Sequence, residues 1–188
     1  MTPVEAAAHF GGLLDKHGIA YATSGSVAAL FYGAERSTID IDLGVAAELD
    51  GLQSMVSELS ADEFYVPHAS MLSAVELTSS FNILHNRSPL KIDFFVLGDG
   101  ILDRRLIEHR VRFDSKYGPI WVSSALDIAV RKLWWFDKTD RTSQRQWEDV
   151  LALLRGGHVE PADFVELAEI VSLADIAKLA VEQAGEGR

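Results

Sequence analysis

Apolar residues recur at helical spacing over residues 2–17, where Val4, Ala7, Ala8, Phe10, Leu13 and Leu14 make one face and Gly18 ends the run. A short strand is predicted over 19–23. Ser24-Gly25-Ser26 then forms a turn that opens a second helix through Leu30 and Tyr32, with Gly33 as its stop. Residues 38–45 alternate strictly: Ile39, Ile41 and Leu43 point one way, and Asp40 and Asp42 the other. A helix is predicted over 49–59, and 64–77 has a strand-like pattern that does not resolve cleanly. The apolar runs 81–85 and 90–97 flank Asn86-Arg87-Ser88-Pro89, a turn cluster that predicts an antiparallel hairpin. In its second arm Ile92, Phe94 and Val96 share one face, and Lys91, Asp93 and Phe95 the other. A helix over 101–109 and one or two strands within 111–122, around Tyr117-Gly118-Pro119, complete this part.

From residue 123 the periodicity becomes almost wholly helical, over 125–136, 143–154, 161–170 and 174–183. Ser124, with Asp127 three residues on, resembles a capping box at the first of these starts. The pattern divides the chain into a mixed α and β part, residues 1–122, and a helical region, residues 123–188. No internal repeat is visible. The fold class is therefore α+β.

With 188 residues and 48% apolar content the chain can bury a sizeable core, so wholesale disorder is excluded. The absence of cysteine removes disulfides, thiolate zinc sites and cysteine nucleophiles together. The first ten residues carry no basic-then-apolar leader, and no apolar run approaches the ~20 residues that span a bilayer. A cytoplasmic protein with no membrane partner is expected. A net charge of −11 disfavours a nucleic-acid coating protein, whose affinity comes from neutralised phosphates. Two local clusters run against that total: Arg104, Arg105, Arg110, Arg112 and Lys116, then Arg131, Lys132, Lys138, Arg141 and Arg145. Solvated faces of an acidic protein account for them adequately.

The carboxylates make the chemical demand. Asp40 and Asp42 project to one side of a strand, and if Asp93 lies on an adjacent strand, three anions share one patch. Like charges that close weaken the fold unless something positive lies among them. A hard divalent cation, Mg²⁺ or Mn²⁺, answers this, and the oxygen-only donors argue against zinc. The six histidines show no metal-binding spacing.

In order along the chain, Ser24-Gly25-Ser26, then Gly33-Ala34-Glu35-Arg36-Ser37-Thr38-Ile39-Asp40-Ile41-Asp42-Leu43, then Lys91-Ile92-Asp93-Phe94-Phe95, resemble the nucleotidyltransferase-fold, or DNA polymerase β-like, superfamily. The Arg-Ser-Thr-x-Asp-Ile-Asp wording resembles its abortive-infection toxin branch. Leu126 to Leu133 is similar to that branch's lysine helix, and Arg145-Gln146-Trp147-Glu148-Asp149-Val150 to its Arg-Asp-x-x-Asp helix, with Gln146 where the first Asp usually stands. The resemblance covers roughly residues 19–155.

It implies a mixed β-sheet flanked by helices and a metal-dependent enzyme that moves a nucleoside monophosphate from an NTP such as ATP to a hydroxyl, releasing pyrophosphate. Asp40, Asp42 and Asp93 would hold the metal and act as the catalytic acids, with Asp93 helping to deprotonate the acceptor. Gly25 and Ser26 would receive phosphates at a helix start. Arg36 either steers the triphosphate or pairs with the aspartates. Lys132 is either a second phosphate contact or a surface lysine. Lys91 balances local charge, and Trp134, Trp135 and Trp147, at helical spacing, read as core. The acceptor is a tRNA, a protein or a small molecule, and a toxin would require an antitoxin. The alternative is a catalytically inactive nucleotide-binding or interaction module on the same fold.

Overall fold

The computed structural model describes residues 1–33 and 38–186. Its elements run α1 (Pro3–Lys16), β1 (Ala20–Ser24), α2 (Gly25–Leu30), β2 (Asp40–Ala46), α3 (Leu49–Val56), β3 (Phe64–Tyr65), α4 (His68–Glu76), β4 (Ser80–His85), β5 (Lys91–Val96), α5 (Ile101–Glu108), β6 (Val111–Ser115) and β7 (Gly118–Val122), followed by α6 (Ala125–Lys138), α7 (Gln144–Arg155), α8 (Pro161–Ile170) and α9 (Ala174–Glu186). They form two compact units, one of Met1–Ala28 with Arg36–Ser123 and one of Ala29–Glu35 with Ser124–Arg188. The last two residues of α2 thus group with the helices, which reading the chain in order does not reveal.

The first unit is built on a seven-stranded sheet ordered β3-β4-β5-β2-β1-β7-β6. β2 pairs with β5, and β1 with β7, in parallel; every other pairing is antiparallel. One face is apolar across β4, β5 and β2. Ile41, Leu43 and Val45 of β2, Ile92 and Phe94 of β5, and Phe81 and Ile83 of β4 are buried. Phe94 stacks on Phe81 at 4.9 Å between centroids and receives Phe10 of α1 edge-on at 5.8 Å.

α1 starts at a full capping box. Thr2 Oγ1 accepts from the Glu5 backbone N–H at 3.2 Å, and Glu5 Oε2 accepts from the Thr2 N–H at 3.1 Å. Thr2→Ala is expected to lower stability by about 1 kcal/mol, readable as a shift in the urea midpoint at unchanged slope. Further along α1, Gly11 admits the Tyr21 hydroxyl so closely that a methyl group would overlap it. That hydroxyl accepts from the Trp121 N–H across to β7, and burial pushes its pKa up to about 12.

Residues 64–77 depart from their strand-like reading. Only Phe64 and Tyr65 pair, with β4, and the rest is chiefly α4. α4 buries only Met71 and Ala74 and begins without a side-chain cap, so neither its apolar spacing nor its start stands out in the sequence.

The second unit packs α6, α7, α8 and α9. α6 opens as expected: Ser124 Oγ accepts from the Asp127 N–H at 3.1 Å and bonds its carboxylate at 2.5 Å. Leu133, Trp147, Val150, Leu151, Phe164, Leu167 and Ile176 fill the interior, and Trp147 Nε1 donates to Gln183 Oε1 at 2.8 Å. Trp135 is not core: it stands 47% exposed. Among the described residues no helix is long and apolar enough to cross a membrane.

Candidate active site

β2 fixes the site by its alternation. With Ile41 and Leu43 committed to the core, Asp40 and Asp42 must point to the opposite face. The parallel register of β5 places Asp93 beside Asp42 and Lys91 beside Asp40. Paired residues on neighbouring strands are about 4.8 Å apart across the sheet, and alternate residues about 6.6 Å apart along it. Asp40, Asp42 and Asp93 therefore fall within one small patch, with Lys91 among them. The register continues outward, setting Ser24 of β1 against Asp42 and Asn82 of β4 against Asp93. A polar row of Asn82, Asp93, Asp42 and Ser24 crosses four strands. Leu106 of α5 closes this face only over Gly44, two residues beyond Asp42.

The approach from the β1 side is equally specific. Gly25 follows β1 directly with φ 60°, a conformation that costs other residues, and the Asp42 carboxylate occupies the space a Cβ would take. The Gly-Ser turn thus lies hard against the acid, and Ser26, the next residue of α2, is buried. Gly25→Ala meets both penalties. It is expected to cost about 1–2 kcal/mol from backbone strain and to push Asp42 off its place, measured as a lower melting temperature.

Lys91 supplies the positive charge. Its Nζ stands 2.8 Å from Asp93 Oδ2, and its single charge cannot by itself balance three carboxylates. The hydrogen bond to Asp93, and then the fields of Asp93, Asp40 and Asp42, hold the Lys91 pKa above its ordinary value. Among the described residues no three acidic or imidazole side chains converge into a ready cation cage. The donor chemistry itself, three carboxylates aligned on one accessible face, suits a hard divalent cation, and the glycine beside Asp42 leaves that carboxylate close to the turn.

Arg36 lies outside the described residues. Lys132 belongs to the helical unit and is no surface lysine: it is buried, its Nζ 2.6 Å from Asp149 Oδ2 and 3.4 Å from Gln146 Oε1. Gln146 and Asp149, one turn apart on α7, thus both face the same ammonium. Asn82 escaped the sequence reading. Ser80, Asn82 and Leu84 alternate with buried Phe81 and Ile83, so placing the first arm of the hairpin against the Asp93 face would have found it.

This α+β fold is similar to those of solved nucleotidyltransferase-like proteins. An antigenic nucleotidyltransferase-like protein from Paracoccidioides brasiliensis is similar over 96% of this chain and 92% of its own, at TM-score 0.57 and 14% identity. JHP933 from Helicobacter pylori is similar over 98% and 92%, at TM-score 0.55 and 13% identity. The antibiotic-resistance factor ANT(2'')-Ia is similar over 98% and 97%, at TM-score 0.52 and 12% identity. No curated protein matches significantly. Residues 25–183 match the family model described as nucleotidyl transferase AbiEii toxin, type IV TA system, and the chain belongs to that family.

Proposed function

We propose that the chain is a divalent-metal-dependent nucleotidyltransferase that transfers a nucleoside monophosphate from an NTP to a hydroxyl acceptor. The observation that carries this reading is the register that sets Asp93 beside Asp42 on the face that also bears Asp40.

Asp40 and Asp42 would hold Mg²⁺ or Mn²⁺, with Asp93 completing the set. When bound, the cation supplies Lewis-acid stabilisation of the charge on the transferred and leaving phosphates. The chain's own groups do the rest. Asp93 accepts the proton of the acceptor hydroxyl as its oxygen attacks the α-phosphorus. The bond from that phosphorus to the bridging oxygen breaks, and pyrophosphate leaves with the electron pair. Gly25 and Ser26 present backbone N–H groups to the phosphates, and the close approach of Gly25 to Asp42 keeps those donors beside the acids.

The test is transfer of label. Each α-labelled NTP is incubated with the protein, Mg²⁺ and a cell extract. The expected result is pyrophosphate release with label on a tRNA, a protein or a small molecule, and the labelled species identifies the acceptor. Membership of a type IV toxin family supports a toxin whose effect an antitoxin counters, so expression of the chain alone should arrest growth.

One observation favours a second reading, an inactive nucleotide-binding module: Asp93 is already engaged by Lys91. Tight NTP binding with no label transferred under any condition would decide for the module.

A further inference from the structure

We infer that Lys91 is the resident counter-ion of the carboxylate patch and that it disfavours free divalent metal relative to metal carried by a nucleotide. This inference rests on the metal-site reading of Asp40, Asp42 and Asp93 given above.

The geometry assigns the role. Lys91 starts in the row of Asp40, yet its ammonium ends 2.8 Å from Asp93 Oδ2, one row further along the same face. The stem therefore runs along the strand and lays its charge among the three acids. Lys91 carries one positive charge, too little by itself to balance three carboxylates, so it does not remove the attraction for a divalent cation. Any cation that takes Asp93 as a ligand must first part it from Lys91.

That displacement is sterically easy. The Lys91 side chain is 36% exposed, and a flexible four-carbon stem can swing to solvent without moving the backbone. The consequence depends on what accompanies the metal. A bare divalent cation brings only positive charge and leaves the displaced ammonium facing it at short range. A metal-triphosphate complex brings phosphate oxygens within reach of the same stem, and the ammonium exchanges a carboxylate partner for a phosphate one. Lys91 is thus a positioning residue that couples metal entry to nucleotide entry.

The experiment measures binding without turnover. Mn²⁺ is titrated into wild type, Lys91→Met, Lys91→Arg and Asp42→Ala, with calorimetry and the electron paramagnetic resonance of free Mn²⁺ as readouts and no nucleotide present. Removing one charge a few ångströms away is expected to tighten Mn²⁺ binding about tenfold in Lys91→Met, with Lys91→Arg restoring the weak wild-type value. With a non-hydrolysable NTP added, Lys91→Met should lose affinity for the nucleotide while keeping its gain for metal. Should Lys91→Met fold poorly, Lys91→Gln replaces it. In wild type, Mg²⁺ titration should also shift the Lys91 side-chain nuclear resonance.

Unchanged or weaker Mn²⁺ binding in both neutral variants, with wild type binding measurably and Asp42→Ala not, overturns the role of Lys91 and leaves the metal site standing. No Mn²⁺ binding by wild type or either neutral variant, with or without nucleotide, overturns the metal-site reading and this inference with it.

Discussion

Asp42→Ala is expected to reduce label transfer several hundredfold while leaving the chain folded. Asp42 lies between Asp93 on one side and Ser24 on the other, with the Gly25 turn against its carboxylate. A group that stabilises developing charge in a transition state contributes roughly 3–4 kcal/mol, and about 1.4 kcal/mol is a factor of ten. A loss of roughly several hundredfold is therefore the contribution of this one side chain alone. The chain should stay folded, because the deletion leaves the apolar face of β2 untouched. A second readout separates binding from chemistry. Mg²⁺ and NTP at ~100 times the dissociation constant stabilise a protein by about 2.7 kcal/mol, and Asp42→Ala should lose most of that gain. A full thermal shift in the variant would place the metal elsewhere.

Lys132→Met should act on stability, through the helical unit. Lys132 and Asp149 have side chains only 7% and 13% exposed, so neither charge is well hydrated. Removing the ammonium strands a buried carboxylate, which costs about 3–5 kcal/mol. A fall in the urea midpoint of that size is expected, and Lys132→Met with Asp149→Leu together should recover much of it, since two apolar groups leave no charge unpaired. A loss under 1 kcal/mol in the single variant would mean that Asp149 reaches water.

The carboxylate patch was legible because β-structure has a period of two, so Ile41 and Ile92 in the core fix where Asp42 and Asp93 go. The hairpin and the helical region were legible for the same reason, through clean periodicities. What stayed hidden depended on partners remote in the chain. Lys132 reads as either a phosphate contact or a surface lysine until Asp149, seventeen positions on, meets it inside the unit. The Trp134-Trp135 pair illustrates the limit of reading by residue type: successive residues on a helix point about 100° apart, so both cannot face one core, and Trp135 faces water. α4 was missed because two buried residues, Met71 and Ala74, give too narrow a stripe to override the strand-forming Phe64-Tyr65-Val66.

The position of β2 has a consequence for how this protein fails. It is bonded on both flanks, by β1 and by β5, so its amides should exchange with deuterium only when the whole sheet opens. Damage elsewhere in this unit then acts on dose, by lowering the fraction of intact molecules, and each surviving copy keeps its acids in register.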